Sequence, residues 1–165
     1  MSYRKTEADL VTYLRTSFDA LGDDPDRSSR IARRLGPAGV KRNLAKAKSD
    51  LDGDWGDFAI EPVEESLYWM GECIALAYDY KIQEGTGHRW KALEVIKLYI
   101  DAFLPALSPI AADFHAIGHA RNDRKYTETP VDLDKSTRWY GAVCRVWAAF
   151  EPDFKWRAST RRVSW

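Results

Sequence analysis

The sequence is short of cysteine, of long apolar runs and of net charge. Its 165 residues include only two cysteines, Cys73 and Cys144, and its 25 basic and 25 acidic side chains cancel. Two cysteines give no disulfide framework, so we expect buried thiols in a reducing compartment. No window approaches the roughly 20 apolar residues of a membrane helix, and the N-terminus lacks the apolar core of an export signal. We therefore expect a cytoplasmic protein without a membrane partner.

The sequence also lacks the alternating pattern of β-strands and the familiar catalytic loops. Gly85-Thr86-Gly87 is too short for a phosphate-binding loop, and there is no nucleophile elbow. Apolar residues instead recur every three or four positions, which is typical of helices packed in a bundle. This spacing predicts helices over residues 6–21, 27–35, 38–51, 62–81, 88–104, 110–126 and 132–150.

These segments predict an all-α fold: a four-helix bundle preceded by two or three additional N-terminal helices. Residues 1–57 form the predicted N-terminal helical region, residues 58–150 the bundle, and residues 151–165 an irregular tail that is basic and aromatic. The acidic loop before residue 58 marks the expected boundary. We expect Trp55 and Phe58 to pin this loop to the body of the protein.

The zero net charge hides two opposed blocks. Residues 27–48 carry eight basic side chains and no acid, whereas residues 49–80 carry nine acids and no base. The basic block indicates either a phosphate-binding surface for RNA or DNA, or a strap that folds onto the acidic block. In the first interpretation, the nucleic-acid-binding residues are these: Arg27, Arg30, Arg33, Arg34, Lys41, Arg42, Arg124 and Lys125.

The helix predicted over residues 110–126 is the best candidate for chemistry. Its apolar stripe, Ile110, Phe114 and Ile117, continues to Arg121, so an arginine is expected on the inward side of a bundle helix. His115 and His119 are four residues apart, a spacing that also occurs in metal sites, although nothing in the sequence fixes further ligands and no metal is expected.

At Arg121-Asn122 the chain resembles the HEPN family of helical bundles. The family motif is Arg, a polar residue, three variable residues and His, near the end of the third core helix, and the resemblance covers residues 61–150. It implies a HEPN-like bundle and a metal-independent endoribonuclease without a cofactor, in which Arg121 binds the scissile phosphate and two motifs meet in a homodimer. Here Tyr126 stands at the position of the motif histidine, preceded by Lys125. Free tyrosine and lysine titrate well above neutral pH, so they transfer protons poorly there. The candidates for the proton role are Tyr126, at the motif position, and His119, which could act only across the dimer.

Two functions follow as hypotheses. In the first, a HEPN-like protein binds RNA or a partner protein through Arg121, Asn122 and the basic block, as a ribonuclease or as a component of a toxin–antitoxin or defence system. In the second, the chain is a non-catalytic protein-interaction module, and Arg121 is structural because it pairs with a bundle acid such as Glu72 or Asp101.

Overall fold

The computed structural model describes residues 4–83, 85 and 87–161 and shows an all-α protein, as predicted. The described residues form eight α-helices and one small antiparallel ribbon. Their bounds in chain order are α1 Glu7–Ser17, β1 Asp19–Ala20, α2 Arg27–Leu35, α3 Val40–Asp52, α4 Gly56–Ala77, β2 Tyr80–Lys81, α5 His88–Phe103, α6 Ser108–Ala111, α7 Phe114–Thr127 and α8 Leu133–Thr160. A 3-10 turn, Pro105–Leu107, precedes α6.

Helix α4 is the centre of the molecule. It is the most apolar helix, sixteen of its 22 residues are buried, and it packs against α2, α3, α5, α7 and α8. Burial of an apolar helix on several sides stabilises it far more than its intrinsic propensity does. The N-terminal helices share the same core, because Leu14, Ile31 and Leu44 belong to one apolar cluster with Ile74 of α4 and Phe150 of α8.

The predicted bounds of α2 match the structure, but the predicted start of α4 is six residues too late. Pro62 suggested the first turn of a helix, where its missing N–H costs nothing. In the structure Pro62 is the seventh residue of α4, so the carbonyl of Phe58 lacks its usual helical donor.

The prediction of an irregular tail after residue 150 was wrong, because α8 continues to Thr160. Phe154 and Ala158 are buried and follow Phe150 at four-residue intervals, so they extend the apolar face of the helix. Pro152 lies on the exposed side, where water can satisfy the carbonyl that the proline leaves without a donor. Residues 162–165 of the predicted tail lie outside the described residues.

Two short strands replace the predicted ends of two helices. β1 pairs antiparallel with β2, with Asp19 opposite Lys81 and Ala20 opposite Tyr80. Each strand has only two residues, which is too short for an alternating pattern to show in the sequence. Among the described residues, no helix combines the length and the apolar character that a bilayer crossing requires.

A glycine brings α4 and α5 into close contact. A Cβ atom on Gly71 would lie 2.1 Å from the backbone oxygen of Ala92, so no larger residue fits without moving a helix. Gly71 is therefore a packing glycine, and the close approach that it permits positions the first turn of α5 beside α4.

Candidate functional site

A buried carboxylate lies at the junction of α4, α5 and α7. The Glu64 side chain is 2% exposed, and two arginines from different helices converge on it. The Nε atom of Arg89 donates to Glu64 Oε1 at 3.0 Å, and its Nη2 contacts Glu64 Oε2. Arg121 Nε lies 3.8 Å from the same Oε2 atom. We call Glu64, Arg89 and Arg121 the Glu64 cluster.

Arg89 makes further contacts within this junction. It also pairs with Glu65, and its guanidinium stacks 4.4 Å from the centre of the Tyr68 ring. Burial lowers the pKa of Arg89, but the hydrogen bonds to Glu64 and Glu65 outweigh this effect and raise the pKa above its usual value. Arg89 is therefore a fixed positive charge, and it holds α5 against α4.

Arg121 occupies the inward position that the sequence predicted. Its side chain is only 11% exposed, and its Nη1 atom donates to the side-chain oxygen of Asn122 at 3.1 Å. Its acidic partner is Glu64, not Glu72 or Asp101 as the structural hypothesis suggested. The two motif residues therefore touch each other, and Arg121 is partly committed to an internal ion pair.

An open cleft of about 190 Å³ lies between the first turn of α5 and the last turns of α7. The residues around it supply two guanidinium groups, an imidazole, an amide and two large aromatic rings. They are Gly85, Gly87, His88, Arg89, Trp90, Arg121, Asn122 and Tyr126. We call this space the α5–α7 cleft. It brings together Arg121, Asn122 and Tyr126, which the sequence predicted as site residues.

Tyr126 is the most exposed large aromatic residue among those described, at 71%. Its ring contacts the ammonium of Lys125 at 5.6 Å and is otherwise open to solvent at the edge of the cleft. An exposed phenol ring beside cations offers a flat surface for stacking rather than packing energy for the fold. Tyr126 and Arg121 both line the α5–α7 cleft.

His119 does not line the α5–α7 cleft. It is exposed on the outer side of α7 and packs on Trp90, with ring centroids 4.6 Å apart. His115 also lies near Trp90 and approaches Glu94, with 3.3 Å between Nε2 and Oε2. The described residues contain no group of three side chains that could hold a metal ion.

The basic block is largely paired with acids. Arg27 pairs with Asp79 and Arg34 with Glu72, both acids of the 49–80 block. Lys46 and Lys48 pair with Asp50 and Asp52, which also belong to that block, Arg30 pairs with Asp24, and Lys41 lies 3.7 Å from Glu151. Within the described part of the chain, Arg33 and Arg42 form no ion pair and are exposed.

Trp55 and Phe58 do not pin the acidic loop to the body. Both side chains are more than half exposed, and they contact each other edge-to-face with 6.2 Å between ring centroids. The guanidinium of Arg124 lies 5.1 Å from the Phe58 ring. Asp57, in the first turn of α4, accepts a hydrogen bond from the backbone N–H of Val131, which ties the start of α4 to the segment before α8.

Sequence reasoning missed Glu64, His88, Arg89 and Trp90. A sign of Glu64 was present, since it is a charged residue at a position where the buried face of α4 continues from Leu67 toward Ile60. His88, Arg89 and Trp90 could not be recognised as site residues from the sequence, because only the fold places the start of α5 beside the end of α7. Comparison with known proteins gives no match: no family model, no curated protein and no solved structure is similar to this chain.

Proposed function

We propose that the protein is a HEPN-like RNA-binding protein that holds single-stranded RNA in the α5–α7 cleft. The observation that carries this proposal is the convergence of Arg89, Arg121, His88 and Tyr126 on one open cleft. The donors of Arg89 and Arg121 that Glu64, Glu65 and Asn122 leave open can form charge-assisted hydrogen bonds to phosphate, and exposed aromatic rings stack on unpaired bases. The choice of RNA rests on the family resemblance of Arg121-Asn122.

The phosphate would lie near the first turn of α5. This turn begins at Gly87, whose φ of 83° is the left-handed conformation that glycine adopts without strain. The free N–H groups at the start of a 16-residue helix favour an anion. Glu64 and Glu65 already compensate much of the charge of Arg89 and Arg121. We therefore expect the cleft to bind RNA mainly through the placement of its hydrogen-bond donors and aromatic rings. Its affinity should depend only modestly on salt concentration.

Tyr126 provides a variant that tests the cleft without disturbing the fold. Replacing it with alanine (Tyr126→Ala) removes a stacking surface worth about 1–3 kcal/mol per base, a loss of roughly 5- to 150-fold in affinity. Fluorescence anisotropy with labelled single-stranded RNA measures this loss. The thermal midpoint should not change, because the side chain is 71% exposed.

Trp156→Ala is the matched control. Trp156 is 64% exposed, and the guanidinium of Arg157 lies 5.3 Å from its ring. The same guanidinium lies 3.7 Å from the ring of Phe103, at the far end of α5. Sixteen helical residues separate the two ends of α5 by about 24 Å. Unchanged affinity in Tyr126→Ala, or an equal loss in both variants, would overturn the proposal.

His88 is the candidate proton-transfer group if the cleft also cleaves RNA. It lines the cleft, its Nδ1 lies 2.5 Å from the carbonyl oxygen of Gly85, and imidazole is the side chain that most often transfers protons in enzymes. Its Nε2 would take the proton of the ribose 2′-hydroxyl as the 2′-oxygen bonds to phosphorus and the bond to the 5′-oxygen breaks. That oxygen takes a proton from water, which leaves a 2′,3′-cyclic phosphate.

Gel analysis of RNA incubated with the protein in EDTA tests this assignment. We expect cleavage products from the wild type, loss of cleavage in His88→Gln, and retention in His119→Gln. Intact RNA with the wild type would remove the cleavage step and leave binding to the Tyr126 test. Equal cleavage by His88→Gln would contradict the role of His88.

The second candidate function is a protein-interaction module that acts as a homodimer. Two observations favour it: the burial of Arg121 against Glu64, and the exposed Trp55–Phe58 pair with Arg124 above it. Aromatic and arginine side chains are enriched where proteins meet. Sedimentation should then show a dimer for the wild type and a monomer for Trp55→Ser, and a wild type that stays monomeric at high concentration would eliminate this candidate.

A further inference from the structure

A second basic cavity lies between α2 and α4. It has a volume of about 300 Å³, and it is lined by Arg30, Arg33, Arg34 and Glu72. The three arginines occur at positions i, i+3 and i+4 of α2, so they share one face of that helix. We call this cavity the α2 pocket. None of its four residues lines the α5–α7 cleft.

The α2 pocket carries uncompensated positive charge. Arg30 pairs with Asp24 at 2.9 Å, and Arg34 lies 3.0 Å from Glu72 and stacks 4.8 Å from the Trp69 ring. These contacts hold two guanidiniums in place at the pocket wall. Arg33 is exposed and forms no ion pair with any described residue, so its charge and its donors are available to an anion.

Helix α4 connects the α2 pocket to the α5–α7 cleft. Glu65 pairs with Arg89 of the cleft, and Glu72 pairs with Arg34 of the pocket. These two acids are seven residues apart on α4, which corresponds to about 10 Å along the helix. Tyr68 lies between them in the sequence. Burial has the largest effect on the pKa of its phenol, and the charges of Glu72, Arg89, Glu65 and Arg34 also act on it. Because both acids are paired with arginines, their charge is compensated along this path.

We propose that the α2 pocket binds a second backbone phosphate of the same RNA strand that occupies the α5–α7 cleft. This inference rests on the proposed function and adds a second point of contact to it. The acids that pair with Arg89 and Arg34 are about 10 Å apart along α4, and a stacked strand advances about 3.4 Å per nucleotide, so a strand that reaches both sites needs at least about three nucleotides. The ligand is therefore single-stranded RNA longer than about three nucleotides, held at one end by a stacked base and at the other by Arg33.

The test compares Arg33→Ala with Arg42→Ala. Both arginines are exposed and form no ion pair with described residues, but only Arg33 lines the α2 pocket. Anisotropy is measured with fluorescein-labelled oligouridylates of about two and about eight nucleotides. Arg33→Ala should weaken binding of the longer strand by roughly tenfold, the effect of one charged hydrogen bond, and should reduce the salt slope by about one.

The pattern across lengths separates the two proposals. Binding of the short strand should be unaffected by Arg33→Ala and weakened by Tyr126→Ala. If Arg33→Ala leaves the longer strand unaffected while Tyr126→Ala weakens it, the second site is wrong and the cleft stands. An equal loss in Arg33→Ala and Arg42→Ala also overturns the second site, since it indicates general charge attraction. If Tyr126→Ala changes neither strand, the proposed function itself fails.

Discussion

The two arginine sites that flank α4 are built in different ways. In the Glu64 cluster, the carboxylate is 2% exposed and two arginines are held by it inside the junction of three helices. In the α2 pocket, Glu72 and Arg34 lie nearer the surface and Arg33 is free of ion pairs with described residues. The arginines of the first site are therefore held by a buried acid, whereas the second site includes an arginine that has no ion-pair partner among the described residues.

The two sites differ in how well water solvates their charged groups. A buried ion pair is costly to break, because removal of one partner leaves the other charged and without water. An exposed pair gains little, because water and salt screen both charges. Because Arg121 lies against the buried Glu64, its substitution should change stability as well as any binding, whereas substitution of Arg33 should test the proposed binding alone.

The largest expected effect is at Glu64. Glu64→Gln leaves Arg89 and Arg121 without their shared buried carboxylate, and we expect a loss of about 3–5 kcal/mol in the free energy of unfolding. Urea denaturation measures this loss. Glu72→Gln is the matched change at the α2 pocket, where the loss should be smaller because the Arg34 side chain is 38% exposed and water can solvate it once the carboxylate is gone. Equal losses in the two variants would contradict the contrast between the sites.

A smaller effect is expected where α4 meets α5. Gly71→Ala places a Cβ against the backbone of Ala92, so the helices must move apart at a cost of about 1–3 kcal/mol. The α2 pocket has no residue from α5, so the proposed binding of a phosphate there should survive. Gly141→Ala is the control: nothing lies within 4 Å of the added Cβ, and alanine favours a helix by up to about 1 kcal/mol. A stabilising effect of Gly71→Ala would contradict the packing argument.

The smallest effect is a pH dependence from Tyr68, which lies between the two sites. Burial, with a further contribution from Glu72, raises the pKa of Tyr68 to about 12. The pKa of a free tyrosine is about 10, so the neutral phenol stabilises the fold fully below about pH 10, and this stabilisation is lost as the pH rises to about 12. Urea unfolding near pH 8 and near pH 11 should show a smaller loss in Tyr68→Phe than in the wild type. Tyr78 and Tyr99, whose pKa values are also raised, are present in both proteins. An equal loss of stability in the two proteins would therefore come from such shared groups and would contradict the assignment to Tyr68.

The sequence was sufficient for the helical class and for the inward position of Arg121. Both follow from spacing along one helix, which is a local property. It misjudged the ends of α4 and α8, because Pro62 and Pro152 lie inside helices that tertiary packing holds together. Local propensity is a weak guide where burial decides the outcome.

The other residues of the site could not be predicted from the spacing of residues within single helices. His88 and Arg89 are 32 or more residues before Arg121 in the chain, and only the packing of α5 and α7 against α4 brings them together. The sequence showed the charges of the basic block, but it did not show which acids form ion pairs with them. Whether an arginine is paired or free depends on which acids the fold places beside it, as the difference between Arg34 and Arg33 shows.

Photo-crosslinking tests the central claim most directly. The wild-type protein is bound to single-stranded RNA that contains 4-thiouridine, irradiated, digested and analysed by mass spectrometry. We predict adducts in the peptides that carry Trp90 and Tyr126, the two aromatic residues of the α5–α7 cleft. Adducts confined to Trp156 or to the Trp55–Phe58 pair, or the absence of any adduct, would contradict the assignment of this cleft as the RNA-binding site.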